Sequence, residues 1–182
     1  MDLIFTGVGS RYGAPIAAQN TATKITQWLC ERGFIVRTGD AIGMDQVFRD
    51  AAQGNCRYYA PHGRHNPIPG AVMISPDDEH YRQARDLTAN THPTFNVLGK
   101  FEKELHIRNA FEVLGDDLQS PAKFVLCWTP DGAETKTSRS TGGTGQAIRL
   151  AIKYNIPVFN INAEAFEARF RAFINHLGRQ QC

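Results

Sequence analysis

A chain of 182 residues with 42% hydrophobic and 21% charged side chains suits one compact globular domain, large enough to bury a core without disulfide or metal staples. A formal net charge of +2 is too small to argue for a polyanionic partner by itself, so any anion site must come from local arrangement. The four cysteines, Cys30, Cys56, Cys127 and Cys182, form no C-x-x-C clip, and Cys30 and Cys127 sit in apolar segments, which points to a reduced, cytoplasmic setting. The N-terminus shows no secretory pattern, and no apolar run approaches the ~18 residues of a membrane span, so no membrane partner is expected.

The first element is a short apolar run, Leu3 to Thr6, read as a buried strand that opens into Gly7-Val8-Gly9-Ser10. Pro15 to Arg32 reads as a helix with Ala18, Ala22, Ile25 and Leu29 on its buried face and Gly33 as its stop. Phe34 to Val36 is a second strand. A second helix carries Met44, Val47, Phe48 and Ala51 on one face and closes at Gly54, and Arg57 to Ala60 is a third strand. This alternation predicts a parallel sheet with right-handed crossovers. Residues 61–77 hold four prolines and read as a loop or short edge excursion. Asp77 to Ala89 is expected as a polar helix, and Phe101 to Leu114 as a stronger one, with Leu105, Ile107, Ala110, Phe111 and Leu114 apolar. Lys123 to Trp128 has the continuous apolar character of a central strand. Thr129 to Thr141 is polar and reads as a mobile flap. The following helix sets Ala147, Ile148, Ala151 and Ile152 on one side, Ile156 to Ile161 is the last strand, and Ala163 to Leu177 is a helix bearing Phe166, Phe170, Phe173, Ile174 and Leu177. That helix either covers the sheet, the favoured reading, or offers its outer residues for homo-oligomer formation.

Three times an apolar strand ends, glycines follow and a helix begins: Gly7-Val8-Gly9-Ser10-Arg11, Thr38-Gly39-Asp40-Ala41-Ile42-Gly43-Met44-Asp45, and Thr141-Gly142-Gly143-Thr144-Gly145-Gln146. In a parallel sheet these loops gather at the carboxyl edge, where open α/β sheets bind ligands. Helix N-termini supply unpaired N–H groups and partial positive charge, and glycine lets a phosphate approach the backbone. Ser10, Thr141 and Thr144 add hydroxyls, and Arg11 adds a guanidinium fork. None of the loops is a Walker loop or the G-x-G-x-x-G dinucleotide fingerprint.

These motifs, in their order and spacing over about residues 3–161, resemble the SLOG superfamily, the Rossmann-like group that includes the DNA-processing protein DprA and the Lonely Guy phosphoribohydrolases. Residues 38–45 are similar to the Ser-Gly-Xaa-Ala-Xaa-Gly-Xaa-Asp stretch of DprA, and His106-Ile107-Arg108-Asn109-Ala110 resembles its Phe-Xaa-Arg-Asn-Arg helix, with Ala110 in place of the second arginine. The resemblance implies a Rossmann-like three-layer α/β domain over residues 1–182, with a mostly parallel sheet and helices on both faces. It implies loops that hold nucleotide or nucleic-acid phosphates, with Arg11, Asp45, Arg108 and Asn109 lining the site. For DprA it implies single-stranded DNA binding and a part in DNA recombination. Lonely Guy enzymes carry a catalytic glutamate after their glycine motif, where this chain reads Gln146-Ala147-Ile148-Arg149.

The candidate phosphate-binding set is therefore Gly7, Gly9, Ser10, Arg11, Gly39, Asp40, Gly43, Asp45, Arg108, Asn109, Thr141, Gly142, Gly143, Thr144 and Gly145. Each has a plainer reading beside it. Arg108 has Glu104 and Glu112 at i−4 and i+4 and would pair with either on a helix surface, and Asp45 would suit the first turn of a helix on electrostatic grounds alone. Lys136 and Arg139 belong either to a solvated linker or to a lid. Trp128, then Tyr58, Tyr59 and Phe95, are the candidates for stacking on a base, against core packing. His62, His65 and His80 lack an acid or Cys at ligand spacing, so no metal and no cofactor is expected. Three functions stay open: a DprA-like binder of single-stranded nucleic acid or a nucleotide, a phosphoribohydrolase-like enzyme with Asp40, Asp45 or Glu134 in place of the glutamate, and a receptor or sponge for a small nucleotide signal.

Overall fold

The computed structural model describes residues 3–179. It is a three-layer α/β structure around a six-stranded sheet of order β4-β3-β2-β1-β5-β6, in which every registered pairing is parallel. The strands are β1 (Ile4–Gly9), β2 (Ile35–Gly39), β3 (Cys56–Ala60), β4 (Val72–Met73), β5 (Val125–Trp128) and β6 (Val158–Asn160). The helices are α1 (Ile16–Cys30), α2 (Met44–Ala51), α3 (Tyr81–Thr91), α4 (Lys100–Leu114), α5 (Thr144–Lys153) and α6 (Phe166–Arg179). The short β4 answers the edge excursion expected within residues 61–77.

Strand alternation divides the core in two. Phe5 of β1 and Phe124, Leu126 and Trp128 leading into and along β5 face α1, α2 and α6, whereas Val8, Val125 and Cys127 face α3, α4 and α5. The first layer is knit by rings around Phe124, which stacks on Phe5 at 5.3 Å and meets Phe170 and Phe173 edge-on at 5.6 and 5.4 Å. Thus α6 covers the sheet. In the second layer α4 is buried on nearly every side from Ile107 to Leu114, because the sheet, α3 and α5 all pack on it.

Several expected boundaries move. β1 runs on to Gly9 and β2 to Gly39, since pairing of Gly7, Val8 and Gly9 with Leu126, Cys127 and Trp128 carries the strand through its own glycines. α3 starts at Tyr81 rather than Asp77, because Asp78 accepts the Ser75 amide at 2.6 Å and spends the acidic stretch on a turn. On α5, Ala147, Ile148 and Ala151 are buried as expected and Leu150 joins them, whereas Ile152 is 42% exposed. β6 is shorter than expected and α6 begins at Phe166. Cys182 lies outside the described residues.

Candidate functional site

The carboxyl ends of β1, β2 and β5 surround a cavity of about 580 Å³. Gly43 makes this convergence. It precedes α2 with φ +81°, and an added Cβ would collide with the Arg11 backbone, so only glycine lets the β1 loop lie against the start of α2. The Met44 amide then donates to the Ser10 carbonyl at 3.2 Å, and the Ser10 amide to the Trp128 carbonyl at 3.1 Å.

Nine of the candidate residues line the cavity: Gly9, Ser10 and Arg11 after β1, Asp45 on α2, Arg108 and Asn109 on α4, and Gly142, Gly143 and Thr144 before and at the start of α5. Six stand behind it, and their work is structural. A Cβ on Gly7 would sit 2.6 Å from the Phe48 ring, so this glycine seats α2 on the sheet rather than opening a phosphate loop. A Cβ on Gly39 would strike the Arg108 guanidinium carbon at 2.5 Å, so this glycine makes room for the arginine. Asp40 is 1% exposed and belongs to an ion-pair cluster. Gly43 shapes the turn, the Gly145 amide donates to the Gly142 carbonyl at 3.1 Å, and the Thr141 hydroxyl donates to Asp131 at 2.5 Å.

Beneath the cavity lies a buried cluster of charge. Arg108 reaches Glu112 through Nε at 2.6 Å, and Asp40 and Asp45 through its two terminal nitrogens at 3.4 Å each. Asp40 also meets Arg64 at 2.9 Å. Asp45 accepts the Gly9 amide at 3.3 Å. Three carboxylates on one arginine leave little of its charge for an external phosphate, so Arg108 holds Asp45 in place rather than standing free as a phosphate grip. Glu112, not Glu104, is its helical partner, and Glu104 instead accepts the Tyr81 hydroxyl. Burial raises Glu112 to about 7, with the Arg108 charge pulling it down and Asp45 and Asp40 pushing it up. Burial also pushes Asp45 upward against the pull of Arg108 and the Gly9 amide. Arg108 itself is held charged, as the three carboxylates overcome the cost of burial.

What remains free is at the rim. Arg11 is exposed and makes no hydrogen bond or ion pair among the described residues. The Gly143 and Thr144 amides, at the N-terminus of the ten-residue α5, have no acceptor among the described residues. The Asn109 side chain donates to the Gly143 carbonyl at 3.2 Å and so steadies that turn. The wall contributed by the start of α4 sets the apolar Leu98, Phe101 and Leu105 among Glu102 and His106, and Tyr12 also lines the cavity at 74% exposure.

The aromatic candidates from the sequence are not the ones that reach the cavity. Trp128, Tyr59 and Phe95 are core residues at 4%, 0% and 6% exposure, and Tyr58 hydrogen-bonds the Pro69 carbonyl. Tyr12 and Phe101 take their place. Their sequence signal was faint: a tyrosine directly after the first glycine motif and a phenylalanine at the start of an amphipathic helix.

The segment 129–141 is an organised loop rather than a free flap. Asp131 accepts hydroxyls from Thr129, Ser138, Ser140 and Thr141 at 2.8, 2.8, 3.3 and 2.5 Å. Burial opposes ionisation there, but the hydroxyls of Thr141, Ser138 and Thr129 prevail and hold the carboxyl at about 2. Glu134 is fixed by a two-pronged pair with Arg169 at 2.7 and 2.8 Å and by the Asn160 amide. Lys136 and Arg139 are exposed and do not line the cavity. Among the described residues no cluster of His, Cys, Asp or Glu is arranged to hold a metal, and no helix is long and apolar enough to cross a membrane.

No family model matches the chain, and no curated protein matches it. Among solved structures it is similar to DNA processing protein A from Helicobacter pylori, a structure described for its unique single-stranded DNA binding mode. The TM-score is 0.60 with 15% sequence identity, over 98% of this chain and 81% of the other. The likeness bears on the fold.

Proposed function

We propose that the cavity at the carboxyl edge binds one phosphate and one unpaired base of a single-stranded nucleic acid. The observation that carries this reading is the mixed lining: the amides of Gly143 and Thr144, without acceptors among the described residues, and the exposed Arg11, together with the exposed aromatic rings of Tyr12 and Phe101 and with Leu98 and Leu105. Amides at a helix N-terminus favour an anion. Aromatic rings at an open rim favour stacking on a base, worth about 1–3 kcal/mol per base. Such a lining suits a strand whose bases are exposed better than a duplex. The fold shared with a DNA processing protein supports the same direction. Membership of the SLOG group, a cytoplasmic setting and a part in DNA recombination go with this reading.

The enzyme reading has less behind it. Asp45 and Glu102 are the carboxylates lining the cavity; Asp45 is held by Arg108 and the Gly9 amide, and Glu102 by the Gly99 amide at 2.9 Å.

Fluorescence anisotropy with a labelled oligothymidylate at two salt concentrations tests the proposal. Affinity is expected to fall as salt rises through counterion release, and Arg11→Ala to weaken binding while leaving the melting temperature unchanged. Absence of binding at both salt concentrations would sink it.

A further inference from the structure

We propose that the cleft between the N-terminal halves of α3 and α4 is a second phosphate site, which takes the backbone of the same single strand some nucleotides beyond the first cavity. This inference rests on the reading above. The cleft has a volume of about 550 Å³ and is lined by His62, Tyr81, Arg82, Arg85, Lys100 and Glu104, among others. Arg82 and Lys100 are exposed and make no hydrogen bond or ion pair among the described residues. Arg85 has only a 3.9 Å contact with Asp86, between side chains 58% and 61% exposed, and such a pair contributes little.

The carboxylate that lines the cleft is already engaged. Glu104 receives the Tyr81 hydroxyl on both oxygens, at 2.7 and 2.9 Å. Asp77, Asp78 and Glu79 precede α3 but do not line the cleft, and Asp78 is held by the Ser75 amide. Three cations against one carboxylate thus line one concavity, Arg82 and Lys100 with no hydrogen bond or ion pair among the described residues and Arg85 with only the long contact to Asp86. Nothing in the packing of α3 on α4 requires them, since the contact is made by Tyr81, Ala84 and Thr88 on one helix and Ile107 and Phe111 on the other. A concave surface that gathers like charge is suited to an anion from outside.

Position ties the cleft to the first cavity. His62 follows the end of β3, Pro76 follows β4, and both strands end on the same edge as β1 and β5. From β1 to β3 and β4 the sheet spans two to three strand spacings, about 10–14 Å. A stacked strand that rises ~3.4 Å per nucleotide along its axis covers this in three or four nucleotides. On α4, Phe101 lines the first cavity and its neighbour Lys100 lines the cleft, so the start of this helix is the saddle over which the strand would pass.

The test compares binding of a thymidine dinucleotide with binding of an oligothymidylate of about eight nucleotides, for the native chain and for Arg82→Ser/Arg85→Ser. Both positions are exposed, so the variant is expected to keep its melting temperature. The native chain should bind the longer strand more tightly. The variant should lose that advantage, keep its affinity for the dinucleotide, and show a log–log salt slope smaller by about 1.4, the share of two phosphates on a single strand. An unchanged length advantage and slope in the variant would overturn the second site and leave the first reading standing. No binding of either oligomer by the native chain would overturn both. Loss in the variant of melting stabilisation by inorganic phosphate, with the length advantage intact, would assign the cleft to a free anion and overturn its place on the strand.

Discussion

Arg108 shows how far the meaning of one side chain depends on what lies around it. On a solvated helix an i,i+4 pair with Glu112 is worth a few tenths of a kcal/mol. Here Arg108 and Glu112 are 7% and 0% exposed, and Asp40 and Asp45 complete the group. Arg108→Ala would strand three carboxylates in the interior. It is expected to cost about 3–5 kcal/mol in a urea titration, and Arg108→Lys most of that, since one ammonium cannot meet three acids at fixed angles. Glu112 has its own signature. Its carboxyl sits at about 7 in the fold against an ordinary 4.5. The folded chain therefore retains a proton that the unfolded chain releases between those values. The associated stability is complete below about pH 4.5 and drains away as the pH climbs through about 7. Glu112→Gln should flatten that decline in a series of melting curves, and an identical decline in the variant would place the proton elsewhere. The i,i+4 spacing was plain in the sequence. The burial was not, because charged residues on a helix ordinarily mark its wet face, and only the packing of α4 onto the sheet between α3 and α5 removes the water.

At the scale of elements, the strand–helix alternation and the periodicity of α1, α2 and α4 made the parallel sheet legible, since each pattern reports a local period. The glycine motifs were legible as places and misleading as parts. Gly7 and Gly39 read as loop residues, yet both lie in strands, where a missing Cβ admits Phe48 or Arg108. A sequence marks a glycine without saying whether it serves a turn or a neighbour. Gly7→Ala separates the two. A loop glycine lacking positive φ would tolerate alanine, whereas overpacking against Phe48 is expected to cost about 1–3 kcal/mol. Phe48→Leu in the same chain should recover part of the loss, a non-additivity measurable by denaturant titration of the four-member cycle. The start of α3 was misplaced for a related reason: acids that ordinarily favour a first helical turn were drawn into an Asx-type turn by the Ser75 amide.

Across the whole molecule, a near-zero net charge conceals an uneven distribution. The interior beneath the cavity is rich in carboxylates, while Arg11, Arg82 and Lys100, which make no hydrogen bond or ion pair among the described residues, stand along the outer rim of the carboxyl edge. Composition could not reveal that partition, because it depends on which charges the fold sets against one another. The carboxylate of Asp131 adds a kinetic consequence. By gathering four hydroxyls it freezes the approach to Gly142 and Gly143 before any ligand arrives. The entropy of arranging that turn is lost during folding instead of during capture, which lowers the threshold for association. Stopped-flow traces should accordingly be single-exponential with a rate linear in ligand concentration. Trypsin should spare Lys136 and Arg139 in the native chain and cleave there in Asp131→Ala, whose association should acquire a slow, concentration-independent phase.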